Sequence, residues 1–384
     1  MEGTRMDFDL TKEQRDIKKA AGEFAAGEFD PDAVLELDRT QEFPLTVWKK
    51  ACELGFMGMH FPEKYGGQEL GILENVLITE EFCRQDSGIG CALAVSDFGS
   101  EIVLRHGDER QKEDILPSIA GGDILFSMAF LEDGYSLSPM ATTARMDKRG
   151  CVINGKKRFV TLGRLARKII VACQTREDDP FAQSLFLVDT GAGGVDMSSM
   201  GEKVGMRMVP TDDLVLINVA VPKENRIGED NRGYSQVIDF FNDMRIETAA
   251  MGIGIAQGAL DRALEYSKDR EQFGKPIANF DAVRNRLSDM YVDLEMSRLV
   301  VYKAALSVDN GRPDSGAILM SKMVASKTAY RVANDALQIY GGLGYMKEGH
   351  IERFYRDARA LELFMEPVQT QRNMIADQIL GKKV

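Results

Sequence analysis

Cys151-Val152-Ile153-Asn154-Gly155 and Lys168-Ile169-Ile170-Val171-Ala172-Cys173, followed by the runs Ser184 to Asp189 and Leu214 to Val221, decide how this chain is read. They are short, rich in β-branched residues and separated by Gly and Asp turns, which is the pattern of a small antiparallel sheet. Asn154-Gly155 is a dipeptide favoured in tight hairpins, so a hairpin is expected there. This region begins where composition changes near Gly121-Gly122 and runs to about residue 235. On both sides the apolar spacing lengthens to the helical period. Upstream, Thr11 with Gln14 three residues later reads as a capped helix start. Pro44 opens another helix, Pro62 to Gly67 is a loop, and residues 71–87 and 90–105 are helical stretches. Downstream, helices are expected over about 235–269, 280–308, 313–341 and 349–380, broken at Gly274-Lys275-Pro276, Asn310 to Pro313 and Gly341-Gly342-Leu343-Gly344. Four long helices in series predict a bundle. The fold class is α+β (α/β/α in chain order). The expected parts are an N-terminal helical domain over 6–122, an antiparallel β-domain over 123–234 and a C-terminal four-helix bundle over 235–384.

The 384 residues suffice for two to three domains at ~150 residues each. A net charge of −12 with no basic block argues against nucleic acid or an anionic membrane as partner. Five cysteines at irregular spacing, with no CxxC pair, indicate neither a disulfide framework nor a zinc site. Three scattered histidines give no HExxH, so no metal is expected. No apolar run approaches the ~18–20 residues that span a bilayer, and no signal-peptide core is present. A short leader before Met6 and a cytoplasmic location are expected.

Taken singly, the remaining motifs have bland readings. Gly341-Gly342-Leu343-Gly344 is not GxGxxG after a strand and reads as a helix-breaking turn. Arg270-Glu271-Gln272-Phe273-Gly274-Lys275 sets a guanidinium, an amide and an aromatic beside a helix end, a group suited to pyrophosphate and adenine. The glycines of Gly252-Ile253-Gly254-Ile255-Ala256-Gln257-Gly258 point to close helix packing. Asp97 and Glu366 read as solvated surface by default.

Together the motifs carry more. Pro62-Glu63-Lys64-Tyr65-Gly66-Gly67, Asp269 to Ile277, Leu337 to Tyr345 and Tyr355-Arg356-Asp357-Ala358-Arg359 follow one another at the spacing of one family. The chain resembles the acyl-CoA dehydrogenases over nearly its whole length. The resemblance implies FAD, an acyl-CoA thioester substrate, an electron-transferring flavoprotein as acceptor and a homotetramer. It implies that Phe159 covers the flavin ring and Thr161 bonds near N5. Arg270, Gln272 and Phe273 would reach the pyrophosphate and adenine across a subunit boundary, and Gln338, Gly341, Gly342 and Gln369 would meet the same cofactor. Arg245 matches the arginine beside the active site, and Asn242 a position that contacts pantetheine. At the start of the β-domain the chain departs from the family: Ala129 replaces a flavin-contacting hydroxyl, and Tyr135 stands at a substrate-contacting serine position.

The larger departure concerns the catalytic base. Gapless matching from Arg356-Asp357-Ala358 puts Met365 at the usual glutamate position, and the alternative position, just before Arg245, is Met244. A thioether cannot take up a proton here. Three explanations compete: Glu366 acts with a one-residue shift, the protein is a catalytically silent scaffold, or the base has moved. Asp97, among Ala94, Val95, Phe98 and Gly99, is the candidate for a moved base, with Glu101 as fallback. Desolvation there would raise its pKa toward a useful range. The combination is similar to a branch acting on alicyclic thioesters in anaerobic aromatic metabolism, and implies 1,4-dehydrogenation of cyclohex-1-ene-1-carboxyl-CoA to cyclohexa-1,5-diene-1-carboxyl-CoA. The Met365 backbone N–H would still serve the thioester oxygen. Cyclohexane-1-carboxyl-CoA, or a straight chain handled by Glu366, are the alternative substrates.

Overall fold

The helix signal at Thr11 is realised in full. Thr11 Oγ1 accepts the Gln14 N–H at 3.1 Å, and Gln14 Oε1 accepts the Thr11 N–H at 3.0 Å. In the computed structural model, which describes residues 9–134, 137–146 and 150–382, this cap starts α1 (Lys12–Glu28). It is followed by α2 (Pro31–Thr40), α3 (Leu45–Glu53), α4 (Ile72–Gln85), α5 (Ser87–Ala94), α6 (Ser100–His106) and α7 (Glu109–Ala120). The stretch expected as one helix over 90–105 is two, because the chain turns between α5 and α6, where Gly99 takes φ +100°. Asp97 therefore sits in a turn rather than within a helix. It forms an isolated bridge with Phe126 in the next domain, whose N–H donates to Ser96 O at 3.2 Å.

The middle region holds β1 (Leu125–Ala129), β2 (Thr143–Met146), β3 (Gly150–Thr161), β4 (Ala166–Gln174), β5 (Gln183–Asp189), β6 (Val195–Ser199), β7 (Thr211–Pro222) and β8 (Arg226–Ile227). One sheet runs β6-β7-β3-β2-β4-β5-β8, with β1 also on β4. Most neighbours are antiparallel, but β4 meets β1 and β2 in parallel, so the sheet is mixed rather than purely antiparallel. The Ile169–Cys173 run of β4 is buried throughout, which explains its unbroken apolar sequence. Asn154-Gly155 is not a hairpin. It lies inside β3 at a register shift against β7, and Asn154 Oδ1 accepts the Asn218 N–H at 2.8 Å. A Cβ on Gly155 would come 2.4 Å from Thr142 Oγ1, so the glycine serves a close strand approach.

The C-terminal part comprises α8 (Gly233–Asp269), a hairpin of β9 (Glu271–Gln272) and β10 (Lys275–Pro276), then α9 (Asp281–Asp309), α10 (Ser315–Tyr340), α11 (Ile351–Leu361) and α12 (Val368–Ile379). Three long helices pack as a bundle, and the expected fourth is split between α11 and α12 by a loop ending at Pro367. The small residues of α8 do the packing predicted for them. A Cβ on Gly258 would lie 2.2 Å from Arg84 O on α4, and one on Gly252 would lie 2.9 Å from Ala325 O on α10. Among the described residues, no helix is long and apolar enough to cross a membrane.

Candidate active site

The α5–α6 turn brings Asp97 to a cavity of about 70 Å³, closed by α4, α8 and the segment before Phe61. Its walls include Met57, Ile78, Phe98, Phe240 and Met244, with His60, Asn75, Thr79, Glu101, Asp243 and Glu247 among them. Ser100 Oγ donates to Asp97 Oδ2 at 3.1 Å. Burial holds the Asp97 carboxyl above its ordinary pKa; the nearby His60 opposes this and Glu101 adds to it.

The surrounding groups are also displaced. Burial alone would lower His60, but the Glu101 carboxylate against its Nε2 overrides that and brings it to about 9. Burial works to raise Glu101, and His60 prevails and holds it low. Burial pushes Glu247 up to about 8, although Thr79 Oγ1 at 2.7 Å and Asn75 Nδ2 at 2.6 Å donate to it. Burial, then Glu101, lifts Asp243 to about 7 against the pull of Arg105, whose Nη2 lies 2.7 Å away. Glu101 is thus occupied by His60 and Arg105 and is a poor substitute for Asp97.

Glu366 is occupied too. Arg245 Nε donates to its Oε1 at 2.5 Å, with both side chains buried, and Lys322 Nζ donates to its backbone oxygen at 2.5 Å. Arg245 Nη1 also donates to Asn242 Oδ1 at 2.6 Å, so Asn242 braces the arginine. Glu366, one position past Met365, is thus directed into an ion pair.

Met365 is the centre of a γ-turn. Its φ is +63°, and the Glu366 N–H donates to Phe364 O at 2.8 Å across it. No acceptor among the described residues takes the Met365 N–H, which suits it to an oxyanion. The Phe364 ring lies 6.1 Å from that of Phe98, so the turn bearing Asp97 and the loop bearing Met365 touch.

The residues expected around FAD lie on separate elements. Phe159, at φ +53° and 44% exposed, and buried Thr161 close β3, next to the buried end of β1 at Ala129. Arg270, Gln272 and Phe273 lie at the hairpin after α8. Phe273 is 93% exposed, an open aromatic face. Gln338, Gly341 and Gly342 lie at the exposed end of α10, which the stacked Tyr266 and Tyr340 rings, 4.3 Å apart, tie to the end of α8. A Cβ on Gly341 or Gly342 would meet nothing within 4 Å, so the backbone there is open to a phosphate. Gln369 is exposed on α12. An aromatic face, a guanidinium and unobstructed backbone fit the two ends of a dinucleotide. Tyr135 lies outside the described residues. In the divergent loop before it, Glu132 accepts from buried Lys157 at 2.7 Å and from the N–H groups of Ala141 and Thr142.

Sequence reasoning missed His60, Asp243 and Glu247. Glu247 follows Met244 by three positions on α8, and that spacing, which puts them on one face, was the available signal. No group of three or more His, Cys, Asp or Glu among the described residues is placed to hold a metal ion.

The site combines a buried carboxylate at a small cavity with exposed backbone and aromatic surface suited to a dinucleotide cofactor. Comparison with known proteins agrees. The acyl-CoA dehydrogenase N-terminal, middle and C-terminal domain families match residues 11–123, 127–219 and 231–380. The chain is 37% identical over 381 residues to a probable acyl-CoA dehydrogenase, YngJ, of Bacillus subtilis, covering 98% of this chain and 100% of that protein. It is 34% identical to the caffeyl-CoA reductase-Etf complex subunit CarC of Acetobacterium woodii, covering 97% of this chain and 100% of that one. The structure of butyryl-CoA dehydrogenase from Megasphaera elsdenii superposes with a TM-score of 0.93 at 32% identity, covering 98% of this chain and 100% of that one. The chain belongs to the acyl-CoA dehydrogenase family and is an oxidoreductase acting on CH–CH groups.

Proposed function

We propose that this FAD-dependent enzyme removes two hydrogens from a cyclic acyl-CoA, with Asp97 as the base. Three things support the reading: by the resemblance Met244 and Met365 stand at the two ordinary base positions, Glu366 is paired with Arg245, and Asp97 lines the cavity, where burial raises its pKa. The substrate that suits a displaced base is cyclohex-1-ene-1-carboxyl-CoA. Its double bond is conjugated to the thioester, which acidifies C3. Asp97 takes the C3 proton, and the negative charge spreads to the thioester oxygen, where the Met365 N–H donates. Bound FAD supplies the acceptor for the hydride lost from C6. The product, cyclohexa-1,5-diene-1-carboxyl-CoA, has lost one proton and one hydride.

Reduction is the second reading. CarC is named as a reductase in complex with Etf, and the same carboxyl, once protonated, would return its proton to an unsaturated thioester. An electron-transferring flavoprotein is the proposed electron partner in either direction. A cytoplasmic homotetramer is proposed from the family resemblance; the 93%-exposed Phe273 and 84%-exposed Tyr345 offer aromatic surface to a neighbouring subunit.

The test is anaerobic flavin bleaching with butyryl-CoA, octanoyl-CoA, cyclohexane-1-carboxyl-CoA and cyclohex-1-ene-1-carboxyl-CoA, with products weighed by mass spectrometry. Bleaching by the cyclohexenyl thioester with loss of two hydrogens supports the proposal. Bleaching by straight chains alone returns the base to another acid. No bleaching by any of them favours the silent scaffold.

A further inference from the structure

Behind Asp97 stands a set of charged side chains that the reaction above does not use. His60 lies with Nε2 against Glu101, the two side chains 13% and 16% exposed, and the Phe61 ring sits edge-on to the imidazole at 4.6 Å. Glu101 also pairs with Arg105 at 3.5 Å, and Arg105 with Asp243 at 2.7 Å. The titratable groups facing this space come from every side. His60 follows α3, Glu101 is on α6, and Asp243 and Glu247 are on α8, while α4 adds only the uncharged Asn75 and Thr79; Cys52 on α3, Arg105 on α6 and Asp239 on α8 act on these groups from outside the cavity wall. The Cys52 thiol, pushed up to about 12 chiefly by burial, is neutral.

The balance of charge around Asp97 is unfavourable to a base. Burial and Glu101 both favour its protonated form, and a protonated carboxyl cannot take up the substrate proton. Arg105 is committed to Asp243 and Glu101, which leaves the imidazole as the chief charge of opposite sign acting on Asp97. Resting on the assignment of Asp97 as base, we infer that His60, held as an imidazolium by Glu101, is the positioning residue that keeps Asp97 ionised and ready to take the substrate proton. Glu101 thereby has a double effect: directly it opposes ionisation of Asp97, and indirectly it secures the cation that permits it. The arrangement also accounts for a histidine remaining charged in a nearly enclosed site.

The experiment uses the FAD-loaded enzyme and the bleaching thioester, in anaerobic single turnovers from pH 5 to 10. His60→Gln is expected to move the acid limb of the rate profile up by about one pH unit, which slows the rate about tenfold on the acid side of that limb and leaves the alkaline plateau unchanged. A limb coincident with wild type overturns the inference. A second readout needs no turnover: the infrared carboxyl stretch that disappears in Asp97→Asn is titrated in the resting holoenzyme. Its midpoint rises in His60→Gln, and an unmoved midpoint overturns the inference. If His60→Gln does not fold, His60→Asn takes its place; the same upward move of the acid limb is expected, and a limb coincident with wild type overturns the inference. Full turnover in Asp97→Asn defeats the base assignment itself. An inactive Asp97→Asn with an unmoved His60→Gln limb defeats only the role of His60.

Discussion

Asp97→Asn and Glu366→Gln should fail in opposite ways. Each replaces a carboxylate by its isosteric amide, yet the two carboxylates are bound to the structure differently. Glu366 faces Arg245 at 2.5 Å, with the side chains only 9% and 3% exposed. Neutralising it leaves a buried guanidinium without its counter-ion, a loss of about 3–5 kcal/mol for a buried pair. Glutamine keeps one oxygen that can accept from Nε, so the lower end of that range is expected. Among the described residues no ion pair at contact distance holds Asp97; Ser100 Oγ donates to it, and His60 acts on it from across the cavity. The folded-state pKa of Asp97 is held above the unfolded value by burial, so folding binds a proton more tightly there. Stability is then lost as pH rises above the unfolded pKa, and an uncharged asparagine removes that loss. Asp97→Asn should therefore be as stable as wild type or more so at pH 8, while its rate of substrate-driven flavin reduction falls ~10²–10⁴-fold, the usual contribution of a general base. Urea unfolding followed by circular dichroism, with anaerobic stopped-flow on the same FAD-loaded samples, measures both quantities. The reasoning is refuted by the reverse pattern, in which Asp97→Asn is active and Glu366→Gln is stable but inert.

Glu247→Gln should stabilise the protein at pH 9 and lose that advantage toward pH 4, because the native pKa of about 8 lies above the ordinary 4.5 and charging the group opposes folding; paired urea titrations at the two pH values check the sign. Gly258→Ala forces a Cβ to within 2.2 Å of Arg84 O and 2.7 Å of Phe354 Cε1, so it should cost about 1–3 kcal/mol by overpacking the contact between α8 and α4, measurable in the same unfolding assay. Phe273→Ala removes the exposed ring proposed to meet adenine and should weaken FAD retention by roughly three- to tenfold, the worth of one aromatic pair, read as flavin released on dilution.

What the sequence made legible was what depends on near neighbours along the chain. The Thr11–Gln14 cap is complete within one turn, and the glycines of α8 carry their small size wherever the helix goes. Asn154-Gly155 misled because its local turn preference loses to pairing along β3 and β7 and to the bond from Asn218. The split of the last bundle helix had a visible cause in Pro367, but the γ-turn at Met365 did not. Asp97 was found through a resemblance and an absence, whereas its surroundings were hidden. His60 and Glu101 stand 41 positions apart, and only the folded chain brings the imidazole against the carboxylate. Glu247 meets Asn75 and Thr79 across 172 and 168 positions, a pairing that no local pattern announces.

The 37 residues of α8 reach about 55 Å at 1.5 Å per residue. Asp243, Met244, Arg245 and Glu247 lie near its start, the close-packed glycines in the middle, and the Arg270–Phe273 hairpin just past its end. Inserting or deleting one residue in this rod would turn everything beyond it by about 100°. Gly252, Gly254 and Gly258 would no longer face α10 and α4, and the hairpin would swing with them. Evolution along this helix is thus confined to exchanging side chains at constant length. Met244, beside Arg245 near the start of the rod, can be exchanged in that way while the distance between the two ends of the site stays fixed.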